Sequence, residues 1–426
     1  MTTNLSQANS PIGVPKSPRL FYGWWITAAA FLNLFFVVGI VYYGFPVFYP
    51  SLVESLGFTR AQLTQGFLYG FVAVAVVFGF GAGALIDRFG PRRVIRIGVP
   101  FVGLALVGMG WMSHLWQYYL LCIAEVIGYA LTGPIPNQVL VSYWFRAKRG
   151  RAMGYAYFGL GLGGAVAPLL IYWLTQRFGW RHAFVIIGVL GLAVLFPVAQ
   201  WVTRSSPGEM GLLPDGSTDP VAETAVVRAP SVGVQDAVRS ANFWLILAGA
   251  TLTIGAVGTV TQHIILFLKD QQFSTTQATR LWSGSLFSSL AGRLIVGYYA
   301  DRYSKKNVMA LFYLLLALSI PLLFLAPSRV ALWAFALVFG FAMGADYMLI
   351  PLVTAECFGL AALGKLLALI IMGYSLGQWF APWLAGKIFD TYHSYDLAWS
   401  IMTAAGLIGA ATVYAISPRP EPRAAA

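Results

Sequence analysis

Long apolar runs follow one another along this chain from residue 22 to residue 416, separated by short polar stretches. Each run has about 20 residues, enough for an α-helix to cross the ~30 Å hydrocarbon core of a membrane. We therefore predict an all-α membrane protein with twelve transmembrane helices. The predicted spans are 22–47, 62–86, 94–112, 116–142, 151–175, 181–203, 243–268, 277–299, 308–327, 331–355, 364–386 and 396–416.

The two halves of the chain repeat each other at an offset of 214 residues. The segment GALIDRFGPRR recurs as GYYADRYSKKN, which pairs Gly83 with Gly297 and Asp87 with Asp301. Such a repeat is typical of a carrier whose halves rock against each other around a central site. We therefore predict two pseudo-symmetric six-helix bundles. The predicted boundaries are a tail over 1–21, a first bundle over 22–203, a linker over 204–241, a second bundle over 242–417 and a tail over 418–426.

Composition and charge support a membrane protein. Hydrophobic residues form 58% of the chain and charged residues only 10%, whereas charged residues are about 25% of a soluble domain. The net charge of +12 comes from Lys and Arg residues. Most of them lie in the loops on one side of the predicted membrane, the side that also carries both termini. The positive-inside rule predicts that this side is cytoplasmic and faces lipid headgroups, not nucleic acid. Residues 1–20 lack the pattern of a cleavable signal peptide. We expect a multi-pass protein of the cytoplasmic (inner) membrane with both termini cytoplasmic.

The loop between the second and third runs carries a specific motif. It matches G-x-x-x-D-R-x-G-x-[RK]-[RK] at Gly83, Asp87, Arg88, Gly90, Arg92 and Arg93. This pattern resembles the loop motif of the major facilitator superfamily, and a degenerate second copy includes Asp301 and Arg302. The resemblance implies a cytoplasmic latch in which Asp87 is held near a helix terminus and basic side chains. Such a latch acts in gating, not in the choice of substrate.

A finer resemblance covers the fourth and fifth runs. The segment YWFRAKRGRAMGYAYFGLGLGG at 143–164, and YGWW at 22–25, are similar to patterns of the bacterial monocarboxylate porter family. The resemblance implies proton-coupled symport of a small monocarboxylate, such as lactate or pyruvate, by alternating access. The related oxalate/formate antiporters share much of the pattern, so an organic anion exchanger is the alternative.

Arg293 is a charged residue inside the eighth run. A charge near the bilayer centre costs at least ~2.5–3.5 kcal/mol, so it normally faces a cavity or a partner. A guanidinium offers a planar fork of donors that matches a carboxylate. The family resemblance implies the same role, because an arginine four residues before the second-motif glycine binds the carboxylate there, and Arg293 stands four before Gly297. The structural alternative is an ion pair with a nearby acid.

Three other residues are candidates for proton coupling. Asp346, inside the tenth run, is predicted at about the depth of Arg293. Its protonation would free Arg293 for an anionic substrate. Glu125 in the fourth run and His263 in the seventh are the other candidates. The alternatives are a structural ion pair for Asp346, a structural hydrogen-bonded glutamate for Glu125 and an ordinary interfacial histidine for His263.

Polar side chains inside the spans complete the predicted substrate site. Tyr119, Asn137 and Tyr374 could offer hydroxyl or amide contacts to a small anion. The middle of the eleventh run has no Lys or Arg, so the cavity offers one positive charge, which suits a monoanion. We expect no cofactor, no metal site and no obligate protein partner. An enzyme would need a cluster of metal ligands or a nucleophile with its base at membrane depth, and the sequence shows no such cluster. A sensor would be expected to carry a signalling domain, but the tails and the central loop are short.

Overall fold

The computed structural model describes residues 21–78, 85–86, 88–145, 148–216, 233–344, 346–359 and 363–417. Within these residues the chain forms twelve membrane-length helices, which are joined by short connections except for the longer stretch 203–240, where the described residues include the short helix Val234–Arg239. They are α1, Gly23–Leu56; α2, Arg60–Phe78; α3, Pro91–Met109; α4, Leu115–Trp144; α5 and α6, the two parts of Gly150–Val202 on either side of Gly179; α7, Ala241–Asp270; α8, Thr275–Arg302; α9, Lys305–Leu325; α10, Arg329–Met343 continued by Asp346–Phe358; α11, Leu363–Tyr392; and α12, Asp396–Tyr414.

Eight helical runs in the described residues are long and apolar enough to cross a membrane, and one of them contains both α5 and α6. The remaining three helices are α2, α3 and α8; α3 and α8 contain arginines within their length. Several helices extend past the predicted apolar runs, because the helix continues into polar residues at its ends. α1, for example, continues to Leu56.

Two helices are irregular near the middle of the first half. In α1 the segment Phe35–Gly44 is a π-helix, and a 3-10 turn, Phe45–Phe48, follows it. In α4 the helix stops at Gly133 and restarts with Pro134, which has no backbone N–H to continue the first segment. A π-helix is rare and is found mostly at functional sites.

The helices pack as two bundles that meet along two pairs of helices. In the first half α3 packs against α4 and α6, and in the second half α7 packs against α11 and α12. The halves meet where α2 lies against α11 and where α5 lies against α8. We call the end of the molecule that carries residues 21 and 417 the terminal end, and the opposite end the distal end.

The glycines repeated in α5 and α11 lie where these helices cross α1 and α7. A Cβ on Gly163 would lie 2.2 Å from a backbone oxygen of α1, and a Cβ on Gly377 would lie 2.3 Å from one of α7. The same crossings bring Gly39 against Gly163 and Gly255 against Gly377. The repeated glycines therefore allow close helix packing in both halves, which is the structural role that four-residue glycine spacing indicates.

Candidate functional site

Arg293 lies on α8 at the boundary between the two halves. It is half-buried, and its Nη1 donates a hydrogen bond of 3.3 Å to the backbone oxygen of Tyr157 on α5. Its Nε is buried and has no partner among the described residues. A Cβ on Gly161 would lie only 3.3 Å from Nη1, so this glycine leaves room for the guanidinium. The side chain of Arg293 thus reaches from the second half to the first half.

A close crossing of α8 and α10 holds the backbone of Arg293 in place. A Cβ on Gly292 would lie 2.0 Å from the oxygen of Phe341. A Cβ on Gly344 would lie 2.2 Å from the oxygen of Ser289 and 3.1 Å from the backbone nitrogen of Arg293. A side chain at either glycine would clash with the facing backbone. The backbones of α8 and α10 are therefore in contact at this depth.

A series of tyrosines leads away from Arg293. Tyr157 interacts electrostatically with Arg293, and Tyr129 interacts with both Tyr157 and Tyr374. The group around Arg293 therefore begins with Tyr157 and reaches the predicted Tyr374 through Tyr129. The sequence does not single out Tyr129 and Tyr157, because aromatic residues are frequent in every span and nothing in their spacing marks these two.

Asn137 and Tyr119 have other surroundings. Asn137 is buried, and its amide donates to the backbone oxygens of Thr132 and Gly133 at 2.7 and 2.8 Å, which satisfies carbonyls at the break in α4. Tyr119 lies near the distal end of α4, where its hydroxyl donates to Gln65 at 3.2 Å. The structure does not bring Tyr119 to the group around Arg293.

Two of the acidic candidates lie in different surroundings. Asp346 is the first residue of the second part of α10, directly after the segment that touches Arg293, and its side chain lies outside the described residues. Glu125 on α4 is fully buried, and neither carboxylate oxygen has a partner in the described part of the chain. Its electrostatic neighbours include Tyr49, Tyr118 and Cys122.

His263 is buried inside the helix packing near the distal end of α7. Its side chain is 0% exposed. The ring nitrogens lie 2.9 Å from the hydroxyl of Tyr395 and 2.8 Å from the backbone oxygen of Pro382. The sequence favours an interfacial histidine, because His263 is near the end of an apolar run; in the structure Tyr395 covers the ring.

The distal end is closed by side chains that join the two halves near His263. Tyr49 of α1 donates to Gln262 of α7 at 2.6 Å. Trp379 of α11 stacks on Phe67 of α2, with ring centroids 5.5 Å apart, and meets the edge of Tyr42 of α1 at 5.7 Å. These contacts join α1 and α2 of the first half to α7 and α11 of the second.

The loop motif lies at the terminal end, and its basic residues bind within the first half. Gly83 and Asp87 lie outside the described residues, whereas Gly90 begins α3 with a φ of 77° that favours glycine. Arg92 donates to the backbone oxygen of Gln200, near the C-terminal end of α6, at 2.5 Å. Arg88 and Arg93 are exposed.

The second copy of the motif makes an equivalent contact in the second half. Lys306 donates to the backbone oxygens of Tyr414 and Ile416, at the end of α12, at 3.2 and 2.5 Å. Lys306 and Tyr414 stand 214 residues after Arg92 and Gln200, so the sequence repeat is also a repeat of contacts. A cation near a helix C-terminus is favoured by the helix dipole. Arg302 is exposed, and the side chain of Asp301 lies outside the description.

The fold and the repeated motif contact agree with comparison to known proteins. The model of the Major Facilitator Superfamily matches residues 4–144, 135–294 and 273–426. The chain belongs to this superfamily. Among solved structures of the superfamily fold, a mutant of the nucleoside transporter NupG has a TM-score of 0.70 and 15% sequence identity, with 93% of this chain and 99% of that chain covered.

Two curated relatives are transporters of different named substrates. Monocarboxylate transporter 13 of Bos taurus is 25% identical over 396 residues, which cover 91% of this chain and 88% of the relative. The 4-hydroxybenzoate transporter PcaK of Pseudomonas aeruginosa is 25% identical over 325 residues, which cover 71% of this chain and 70% of the relative. This superfamily member is a multi-pass membrane protein of transporter fold, and the relatives named here are transporters rather than enzymes.

Proposed function

We propose that this protein is a secondary carrier that moves a small monocarboxylate, such as lactate or pyruvate, together with a proton across the cytoplasmic membrane. Transport proceeds by alternating access between the two halves. Both termini are cytoplasmic in this proposal, so the terminal end faces the cytoplasm and the distal end faces outward. The positive charge of the terminal-end loops supports this orientation.

The placement of Arg293 carries the proposal. The guanidinium lies at the boundary between the halves, and only its Nη1 is engaged by the backbone of Tyr157 among the contacts described. Nε is buried with no partner in the described residues, so the Nε side of the fork is available to a carboxylate. An arginine at this boundary can bind the substrate in both the inward-facing and the outward-facing state, because it lies between the two halves that move.

The charge of the surrounding group favours a monoanion. Tyr374 lies in the middle of α11, whereas Lys365 and Lys387 stand near its two ends. A dicarboxylate would need a second cation near Arg293. Tyr157 and Tyr374 can offer hydroxyls to a small acid, and the rings also suit an aromatic monocarboxylate such as the substrate named for the 4-hydroxybenzoate relative. In our proposal Asn137 supports the α4 break near the site, and Tyr119 takes no part.

For the proton we propose two acids. Asp346 follows the segment of α10 that touches the backbone of Arg293, so a charged Asp346 would compete with the substrate carboxylate. Glu125 is buried without a partner in the described residues, where a charge is costly, so this carboxyl is the second candidate. The loop motif, from Gly83 to Arg93, acts in our proposal as the gate at the cytoplasmic end.

Transport into liposomes tests the proposal directly. The purified protein is reconstituted with a pH-sensitive dye inside, and monocarboxylates, including lactate and 4-hydroxybenzoate, or dicarboxylates are added outside. Acidification that exceeds the passive leak of protein-free liposomes, with monocarboxylates only, is the expected result. If labelled anion moves only in exchange for an internal anion, with no proton signal, the protein is an exchanger and the symport proposal fails.

The variant Asp346→Asn separates the two acids. If Asp346 carries the proton, uptake by this variant no longer responds to a pH gradient, because the amide cannot titrate. An unchanged pH response together with normal uptake would remove Asp346 from the proposal and leave Glu125.

A further inference from the structure

Arg60, the first residue of α2, is held at the distal end by residues of the other half. Its two terminal nitrogens donate to both carboxylate oxygens of Asp270 on α7, each at 2.6 Å. Its Nη1 also donates to the hydroxyl of Tyr395 at 2.9 Å, and its guanidinium carbon lies 3.6 Å from the ring centroid of Phe389. The Arg60 side chain is only 12% exposed, so these contacts are largely shielded from water.

The backbone at the start of α2 is also bound by the second half. The N–H groups of Arg60 and Ala61 donate to the two carboxylate oxygens of Asp390 on α11, at 3.3 and 3.1 Å. The first N–H groups of a helix lack intrahelical partners and carry partial positive charge, so a carboxylate there acts as a cap. In this case the cap belongs to the opposite half of the molecule. A Cβ on Gly386 would lie 2.8 Å from the backbone of Ala61, which shows how closely α11 approaches.

A directed chain of hydrogen bonds links Arg60 to the interior. The backbone oxygen of Pro382 can only accept, so Nε2 of His263 carries the hydrogen in this contact. Nδ1 of the neutral ring then accepts from the hydroxyl of Tyr395. The same hydroxyl oxygen accepts from Arg60. Each donor in the chain therefore has one acceptor, and the chain is complete only while His263 is neutral and Arg60 is in place.

We propose that Arg60, Asp270, Asp390, Tyr395 and His263 form a distal latch, which holds the two halves together and must break before the distal end opens. Every contact of Arg60 described above crosses from the first half to the second, so rocking of the halves breaks all of them at once. The latch also gives His263 a positioning role, because its ring orients the hydroxyl of Tyr395 toward Arg60. The latch does not depend on which substrate the carrier moves.

A neighbouring ion pair provides a matched comparison. Glu54 of α1 and Lys269 of α7 also join the two halves at the distal end, one residue from Asp270 along α7. Their side chains are 65% and 30% exposed, and among the described residues the pair has no second carboxylate or aromatic ring like those that contact Arg60. Exposed ion pairs contribute little to stability. Comparing variants of the two pairs thus distinguishes a general effect of charge at the distal end from the effect of the latch.

The test measures opening of the distal end in the absence of substrate. Spin labels are placed at Gln176→Cys, at the distal end of α5, and Val330→Cys, at the distal end of α10, both of which are exposed. The buried Cys122 and Cys357 are replaced by Ala in the full-length protein. Double electron–electron resonance on the reconstituted protein then gives the ratio of open to closed distal ends. No transport is measured, so failure of the latch and failure of the proposed function are distinguishable.

We expect Arg60→Ala to raise the ratio of open to closed molecules at least about 30-fold, because several charge-assisted hydrogen bonds are lost together. Arg60→Lys should give an intermediate increase, since an ammonium cannot bind Asp270 with two parallel bonds. Tyr395→Phe keeps the ring and removes the chain to His263, so it should also favour opening. Glu54→Gln should change the ratio at most about fivefold.

The same measurement can overturn the latch. An unchanged distance distribution in both Arg60→Ala and Arg60→Lys would show that these contacts do not hold the distal end closed. An increase in Glu54→Gln as large as that in Arg60→Ala would assign the effect to general charge at the interface. If Arg60→Ala does not fold, Asp270→Asn, which keeps the shape and removes the charge, tests the same bond, and an unchanged ratio there would also refute the latch.

Discussion

Replacement of Arg293 by lysine keeps the positive charge and removes the planar fork. In the structure Nη1 already donates to the backbone of Tyr157, and Nε has no partner among the described residues. An arginine can therefore hold this contact and still present a second edge to a carboxylate, whereas a lysine has a single nitrogen for both tasks. We expect Arg293→Lys to lose one charge-assisted hydrogen bond to the substrate.

The magnitude follows from the strength of such a bond. A hydrogen bond to a charged group contributes about 1.5–3 kcal/mol, and about 1.4 kcal/mol changes an equilibrium constant tenfold. The substrate affinity of Arg293→Lys should therefore fall about 10- to 150-fold. Folding should be little affected, because the same charge occupies the same place at the boundary between α5 and α8.

The assay is concentration-dependent uptake of labelled monocarboxylate into liposomes that contain equal amounts of protein. The matched control is Arg280→Lys, an exposed arginine near the distal end of the same helix, which should transport as the parent does. A KM for Arg293→Lys within about twofold of the parent, well below the tenfold that one lost bond predicts, would refute the carboxylate role of Arg293.

Three other predictions concern different parts of the fold. Gly163→Ala places a Cβ 2.2 Å from a backbone oxygen of α1, so we expect a thermal unfolding scan to show destabilisation of about 1–3 kcal/mol. Arg92→Ala and Lys306→Ala each remove a cation from a helix end, and both should lower the melting temperature, whereas the exposed Arg93→Ala should not. Glu125→Gln should fold normally and flatten the pH dependence of uptake; a parental pH profile would exclude Glu125 from proton transfer.

Much of the fold could be predicted from hydropathy, because a helix that crosses a membrane must be apolar over about 20 residues. Hydropathy carried no sign of the π-helix Phe35–Gly44, since a change of hydrogen-bond register leaves the apolar character of a span unchanged. Helix ends were also less certain. α7 continues to Asp270 and α11 to Tyr392, because their last turns contact the other half instead of lipid.

The candidate site was predictable where a residue is unusual for its surroundings. Arg293 stands out in an apolar run, and the structure places it at the boundary between the halves. Tyr157 and Tyr129 are ordinary residues in their own spans. They become candidates only because distant segments of the chain pack together near Arg293. The same holds for Arg60, which in sequence is one basic residue near a loop; its partners Asp270 and Asp390 are 210 and 330 residues away.

The π-helix in α1 gives the two halves different internal lengths. Equivalent packing glycines, Gly39 and Gly255, are 216 residues apart. The Thr59 and Ser274 caps, each paired with a glutamine three residues later, are 215 apart. The Arg92 contact and its counterpart are 214 apart. The first half therefore has one more residue than the second between Gly39 and Thr59, the interval that contains the end of the π-helix, and another between Thr59 and Arg92.

A π-helix closes its hydrogen bonds over five residues instead of four, so it can hold one additional residue without turning the helix that follows. α7, the counterpart of α1, is an uninterrupted α-helix. The side chains of Phe35–Gly44 therefore have no one-to-one counterparts in the second half, although the ends of the two halves keep equivalent contacts. An insertion of one residue is thus sufficient to place different side chains at the middle of two otherwise repeated bundles.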